Sequence, residues 1–501
     1  MKTKNLKYIY IAVAMAALGS CSEDFVTIQP KGVFLSESYY ANEDQATAAL
    51  VGVYDPIRKN TGGFENLVAM FNAGSDDFYA GGGNATDGEG IQLFSKHDLN
   101  ATKMPASFWN DHYQGVFRAN VLLQKLSGIP MNDALKVRFG AEAKALRAIY
   151  YFNLVRMFKN VPLILEPLTS GNMYDVLQAT PEEVYAQIEK DLKEAIPALP
   201  GTLQPTEYGR LTKGGAQAML GKVYLFEGKN SDAAAVLAEV NGTPGGTNQY
   251  GNKLLTNFSD LWVVSNKYNS ESLIEVAHTS AGNSDWGFWG TGKDEGNTLN
   301  VMVGPRTYAK LKPIAPDLPS GWSFSVPTQD LYDAMKNDPR FEATILDLKA
   351  LKAAGAANYV GGYQDTGYFL NKFLPRQKDV REGGGAAELN YKQDSYIVRL
   401  ADTYLMEAEA LGSGSRAQAL LDAVRARVGL TPVPVTLAAI KNERRMELAG
   451  EGIRFFDLVR WGDAGTVLAN RGFTVGTDEI FPIPIDELQG GTKLKQNPNY
   501  Q

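Results

Sequence analysis

The sequence predicts a mainly α fold: a tetratricopeptide-like helical-repeat scaffold with a loop-rich excursion that carries a few short strands. Three observations lead there. Two stretches, "LGKVYLFEGKNSDAAAVLAEV" and "VRLADTYLMEAEALGSGSRAQALLDAVRARVG", place small and apolar residues at the spacing of paired antiparallel helices. Apolar residues recur at three and four over long windows between residues 141 and 196. Residues 241–392 abandon that period and are rich in Gly, Asn, Pro and aromatics.

Residues 1–20 come first in chain order. Lys2, Lys4 and Lys7 precede eleven apolar residues at 8–18, then a Gly-Ser break. That is the plan of an export signal and is too short to span a bilayer. The segment resembles a bacterial lipoprotein signal, which would leave Cys21, the single cysteine, first in the mature chain with diacylglycerol on its sulfur. Ser22, Glu23 and Asp24 resemble the label that sends Bacteroidetes lipoproteins to the cell surface. Residues 21–35 then form a tether.

Residues 36–240 read as helices with long loops. In "AEAKALRAIYYFNLVRMF", Ala143, Leu146, Tyr150, Leu154 and Phe158 share one stripe, which predicts a core-facing helix. Thr180 with Glu183 forms a capping box, Pro181 takes the first helical position, and Val184, Ile188, Leu192 and Ile196 repeat every four residues. Leu220, Gly221, Tyr224, Gly228 and Ala233 give the first repeat pair.

The excursion at 241–392 offers "ESLIEVAH" as strand and "TQDLYDAMKNDPRFEATIL" as helix. Loops on a rigid scaffold are where binding residues sit. The part at 393–501 returns to helices, with Leu400, Ala401, Tyr404 and Ala408 opposite Leu420, Leu421, Val424 and Val428, and is expected to pack with the N-terminal part as one unit.

Composition narrows the function. A net charge of −7 argues against nucleic acid, which is bound through clustered Lys and Arg. One cysteine and three scattered histidines leave no framework for a metal, and no cofactor is called for. "GFWGTGK" has P-loop spacing, but Asp294 stands where Ser or Thr should hold magnesium. In "ERRMELAGEGIRFFDLVRWG" the carboxylates are interleaved with arginines at helical spacing. That predicts a structural ion-pair network rather than a glycosidase pair, whose general acid needs a raised pKa.

With these pieces in view, the chain resembles the RagB/SusD family of surface lipoproteins over nearly its whole length. The resemblance rests on "FWNDHYQGVFRANVLLQKL" at 108–126, "EAKALRAIYYFNLVRMFKNVPLI" at 142–164, "GRLTKGGAQAMLGKVYLFEGK" at 209–229, "ERRMELAGEGIRFFDLVRWG" at 443–462, then "FPIPIDEL" and "LKQNPNY". Gly450 departs from the family's usual aromatic, and Asn499 from its usual Gly, though Asn tolerates a left-handed backbone.

The resemblance implies the SusD-like fold and a non-enzymatic, lipid-anchored place on the outer-membrane surface. It also implies a SusC-like TonB-dependent transporter as partner and an oligosaccharide ligand. A helical glycoside hydrolase and a scaffold for peptides or proteins are the readings in other classes. Trp286, Phe288 and Trp289 lie in a Gly- and Asn-rich run and are the leading ligand-contacting candidates. Asp76 and Asp77 with Tyr79 form a second candidate cluster, followed by Trp322, Tyr363, Lys372 and Arg376. Trp109, Tyr150 and Trp461 lie on helical stretches and read as core.

Replacing Cys21 by alanine is expected to move the protein from the membrane pellet to the soluble fraction after detergent-free washing. Retention in the pellet would contradict the lipid anchor.

Overall fold

The computed structural model describes residues 40–282, 284–286, 295–491 and 493–500. The signal, Cys21 and the run at 287–294 lie outside the described residues. Among the described residues, nine helices of twelve or more residues build the scaffold. They are α1 (Glu43–Tyr54), α2 (Ser107–Lys125), α3 (Asp133–Phe158), α4 (Pro181–Ala195), α5 (Lys213–Phe226), α6 (Asn230–Asn241), α7 (Leu400–Leu411), α8 (Ser415–Arg427) and α9 (Leu437–Leu448).

Local chemistry sets their starts. Asn42, Asn132, Thr180, Thr212 and Thr436 each accept a hydrogen bond from a first-turn backbone N–H. Each such cap is worth about 1 kcal/mol. The Thr180–Glu183 box forms in both directions, with Pro181 just inside. Each helix packs on the next from α1 to α8, so α6 meets α7 although residues 242–399 intervene. The two repeat pairs far apart in sequence therefore stand side by side. Gly221 permits the α5–α6 approach, since a Cβ there would sit 2.4 Å from Cγ of Leu237. Among the described residues no helix is long and apolar enough to cross a membrane.

The excursion is stitched by short antiparallel strand pairs. Ser272–Val276 pairs with Ser395–Arg399, which leads directly into α7. Arg306–Lys310 pairs with Ala357–Val360, and Ile345–Asp347 with Tyr368–Leu370. Phe78–Gly81, from the N-terminal part, pairs with Phe324–Pro327 from the excursion. The single helix read in "TQDLYDAMKNDPRFEATIL" is instead two, Gln329–Met335 and Phe341–Thr344. Pro339 disfavours helical geometry at Asp338, and the chain turns there through Asp338 N–H to the Met335 carbonyl.

The arginine-rich segment is buried and paired, as its spacing predicted. Glu447 on α9 receives Arg340 at 2.9 Å, Arg399 at 2.6 Å and Arg427 of α8. Glu443 receives Arg340 at 2.6 Å and Arg425 at 2.8 Å, while Glu451 receives Arg399 and Lys372, each at 2.8 Å. Burial alone would raise the Glu447 carboxyl, but Arg427, Arg399 and Arg340 hold it well below the usual carboxylate range. Arg340 and Lys372 belong to the excursion, so this cluster fastens the excursion to α8 and α9. Glu443, Glu447, Glu451 and Asp457 are all buried, so none of these four is placed to serve as a glycosidase's general acid.

The C-terminal departures are resolved locally. Asn499 adopts φ +71°, the left-handed geometry a Gly would take. Gly450 has φ +81°, and a Cβ there would lie 2.4 Å from Leu370.

Glu447→Gln should cost about 3–5 kcal/mol at pH 7, because it strands buried guanidinium charge. The folded carboxyl of Glu447 lies below its unfolded value of about 4.3. Its contribution is therefore complete above that pH and declines as pH falls through the folded value. Urea unfolding between pH 7 and pH 3 should show a shallower acid loss in the variant than in the parent chain.

Candidate functional site

Three distant stretches meet where the strand Phe78–Gly81 runs alongside Phe324–Pro327. Gly81 lies opposite Phe324, and beyond it Gly82 N–H donates to the Ser323 carbonyl at 2.7 Å. The Gly82 carbonyl in turn accepts from Tyr363 N–H at 2.8 Å. Gly82 takes φ +86°, and a Cβ would sit 2.7 Å from the Phe324 ring. Only glycine fits there, which explains part of "AGGGN". Ser323 and Ser325 flank Phe324 with φ of +59° and +51°. Such geometry costs a non-glycine residue about 1–2 kcal/mol and needs the surrounding pairing to hold it.

On this frame four aromatic rings step outward from the core. Phe324 is buried and meets Phe64 edge-on at 5.2 Å. Phe64 lies 6.0 Å from Trp322, and Trp322 lies 5.8 Å from Trp286, the two indoles tilted by 36°. Phe64 and Trp322 are half-buried, whereas Trp286 is 49 % exposed.

Polar groups hold the steps. Arg306 donates to the Trp322 carbonyl at 3.1 Å and to Asp87 at 3.1 Å, and Asp87 also accepts from Gly83 N–H at 2.6 Å. The indole N–H of Trp286 donates to Glu388 at 3.1 Å. Asn390, fully buried, accepts from Ser284 N–H at 3.0 Å and donates to the Ser284 carbonyl at 2.8 Å. Ala386 N–H reaches that same carbonyl at 3.0 Å. The turn at 386–390 thus brackets the chain just before Trp286.

An exposed aromatic face bordered by a carboxylate, a guanidinium and backbone amides suits a pyranose, whose C–H face is apolar and whose edge is hydroxylated. Among the described residues no three His, Cys, Asp or Glu side chains are grouped to hold a metal ion.

The structure sorts the sequence candidates. Trp286 and Trp322 lie side by side with tilted rings, and Tyr363, half-buried, joins their frame through its backbone. Phe288 and Trp289 lie outside the described residues.

Asp76 and Asp77 are corrected. Asp76 accepts two bonds from Arg454 at 2.9 Å, and the fully buried Asp77 accepts from Arg445 at 2.8 Å. Both are engaged within the protein, where they anchor the start of the strand instead of facing a ligand. Tyr79 beside them has Arg471 over its ring at 4.4 Å. Lys372 is corrected on the same ground: at 1 % exposure its ammonium donates to Glu451 and to the Glu447 carbonyl. Arg376 lines a different pocket.

Phe64, Asp87, Arg306, Glu388 and Asn390 escaped the sequence reading. Phe64 in "GGFEN" carried the signal of an aromatic in a Gly-rich loop. The others act through pairings between residues distant in sequence, which a single chain does not display.

Comparison with known proteins bears on this site. Residues 288–478 match the model of the SusD family, and residues 43–225 match a model described as starch-binding, associating with the outer membrane. A laminarin-binding SusD-like protein of known structure is 63 % identical, with a TM-score of 0.91 over 92 % of this chain and all of that one. Surface glycan-binding protein A from Bacteroides thetaiotaomicron, solved with laminarihexaose, is 25 % identical with a TM-score of 0.81, covering 91 % of this chain and all of that one. A SusD-like protein of Formosa agariphila is 26 % identical, covering 98 % of this chain and 97 % of its own.

Glu388→Leu should free the Trp286 indole and increase acrylamide quenching of its fluorescence, measured as the difference from Trp286→Phe. Glu388→Gln keeps an acceptor and should leave quenching near the parent value. Equal quenching in all three proteins would contradict the bracket.

Proposed function

Because the chain belongs to the SusD family, we propose that it captures a laminarin-type glucan on the Trp286–Trp322 platform and passes it to a SusC-like TonB-dependent transporter. One observation carries the choice of ligand. The exposed Trp286 lies beside Trp322, 5.8 Å away and tilted by 36°, in a chain 63 % identical to a laminarin-binding relative. Laminarin is a β-1,3-linked glucan, and its neutral pyranoses suit rings that offer an apolar face and few charges.

The protein acts by holding its ligand, not by cleaving it. The carboxylates beside the platform are already engaged, Asp87 with Arg306, Glu388 with the Trp286 indole and Asp285 with the Trp286 backbone N–H. A retaining or inverting pair needs two carboxyl groups facing the scissile bond from opposite sides. The lipoprotein-like start of the sequence supports a lipid anchor on the outer face of the outer membrane. From there the protein would cover the transporter and present the glucan to it.

Calorimetry with laminarihexaose tests the reading. Binding is expected, weakened about tenfold by Trp286→Ala and by Trp322→Ala, consistent with the loss of about 1.4 kcal/mol of stacking each. No new reducing ends should appear. Absent binding, affinities unchanged in both variants, or hydrolysis would overturn it.

A further inference from the structure

A second pocket, which shares no residue with the aromatic platform, lies where residues 259–265 meet 371–379 and 392–393. It encloses about 450 Å³, within the range of small-ligand sites. Trp262 and Asn371 contribute to its wall, and its charged residues are Arg376, Lys378, Lys392 and Asp379. Three cations therefore face one carboxylate in a chain whose net charge is −7.

The pairing of those cations sets them apart. Other sheltered guanidinium groups meet a carboxylate, as Arg147 meets Asp191, Arg399 meets Glu451 and Arg444 meets Asp457, or lie over an aromatic ring, as Arg156 lies over Phe456 and Arg471 over Tyr79. Arg376 is half-buried, and among the described residues no carboxylate lies within 4.0 Å of its guanidinium. Its Nη1 donates to the Leu374 carbonyl at 2.6 Å and its Nη2 to Asn371 at 2.8 Å, leaving three of five N–H donors for another partner. Asp379 is turned to the backbone, accepting from Arg376 N–H at 3.3 Å. Lys378 and Lys392 stand exposed at the rim. Burial lowers the Arg376 pKa, and the smaller opposing pull of Asp379 does not cancel it.

We propose that this pocket receives an anionic sugar, its carboxylate or sulfate ester held by Arg376 with Lys378 and Lys392 at the rim and its ring against Trp262. A planar guanidinium with free donors matches the oxygen geometry of either group. The site works independently of the neutral-glucan platform and extends the ligands of this protein to charged saccharides.

The test compares a neutral laminari-oligosaccharide, its sulfated derivative, a glucuronic acid oligosaccharide and inorganic sulfate by calorimetry at constant ionic strength. In the platform-free control, Trp286→Ala, the two anionic saccharides should bind about tenfold more tightly than the neutral sugar does. Arg376→Gln and Lys392→Gln should each remove most of that gain and leave neutral-sugar affinity unchanged. Lys392 is exposed, so its variant remains informative if Arg376→Gln unfolds. Anionic sugars that bind Trp286→Ala no better than the neutral sugar does, or a gain that survives in Lys392→Gln, would overturn the proposal. So would inorganic sulfate binding with no gain for either saccharide, which would mark a site for free anions. Loss of neutral-glucan binding alone would strike the platform and leave this pocket standing.

Discussion

The fold depends on one buried carboxylate surrounded by three guanidinium groups. Glu447 sits on α9 and meets Arg340 from the excursion, Arg399 from the strand that precedes α7, and Arg427 from α8. A buried ion pair gains little over an apolar isostere, but removing one partner leaves a desolvated charge that costs several kcal/mol. The cluster therefore specifies an arrangement more than it adds stability: the excursion has one place to dock in which no charge is stranded.

The other face of the same segment extends that logic to the site. Arg445 and Arg454 hold Asp77 and Asp76, which begin the strand Phe78–Gly81. That strand fixes Phe324, Phe324 supports Phe64, and Phe64 supports Trp322 and then Trp286. A rigid helical scaffold thus reaches a loop-borne platform through two layers of charge pairing and one short ladder. Preorganised rings lose little freedom when a sugar arrives, which favours affinity from a small contact.

Much of this was legible in the sequence, for identifiable reasons. Helix pairs are local, so Gly221, Gly228 and the Thr180–Glu183 box announced α4 to α6 before any tertiary contact was known. Interleaved charges at helical spacing announced the ion network. The exposure of Trp286 was legible because large aromatics in Gly- and Asn-rich loops have no periodic face on which to bury. Asp76 and Asp77 misled because their partners lie more than 360 positions away in the chain. A loop carboxylate looks the same whether it awaits a hydroxyl or an arginine. Asn390 and Glu388 gave no signal, since a bracket across about 100 residues exists only in three dimensions.

If sugar lies across Trp286 and Trp322, a crystal of the protein soaked with laminarihexaose should show a pyranose ring on the Trp286 indole, with hydroxyls toward Asp87 and Arg306. Ordered glucan elsewhere on the protein, with both tryptophans bare, would contradict that placement.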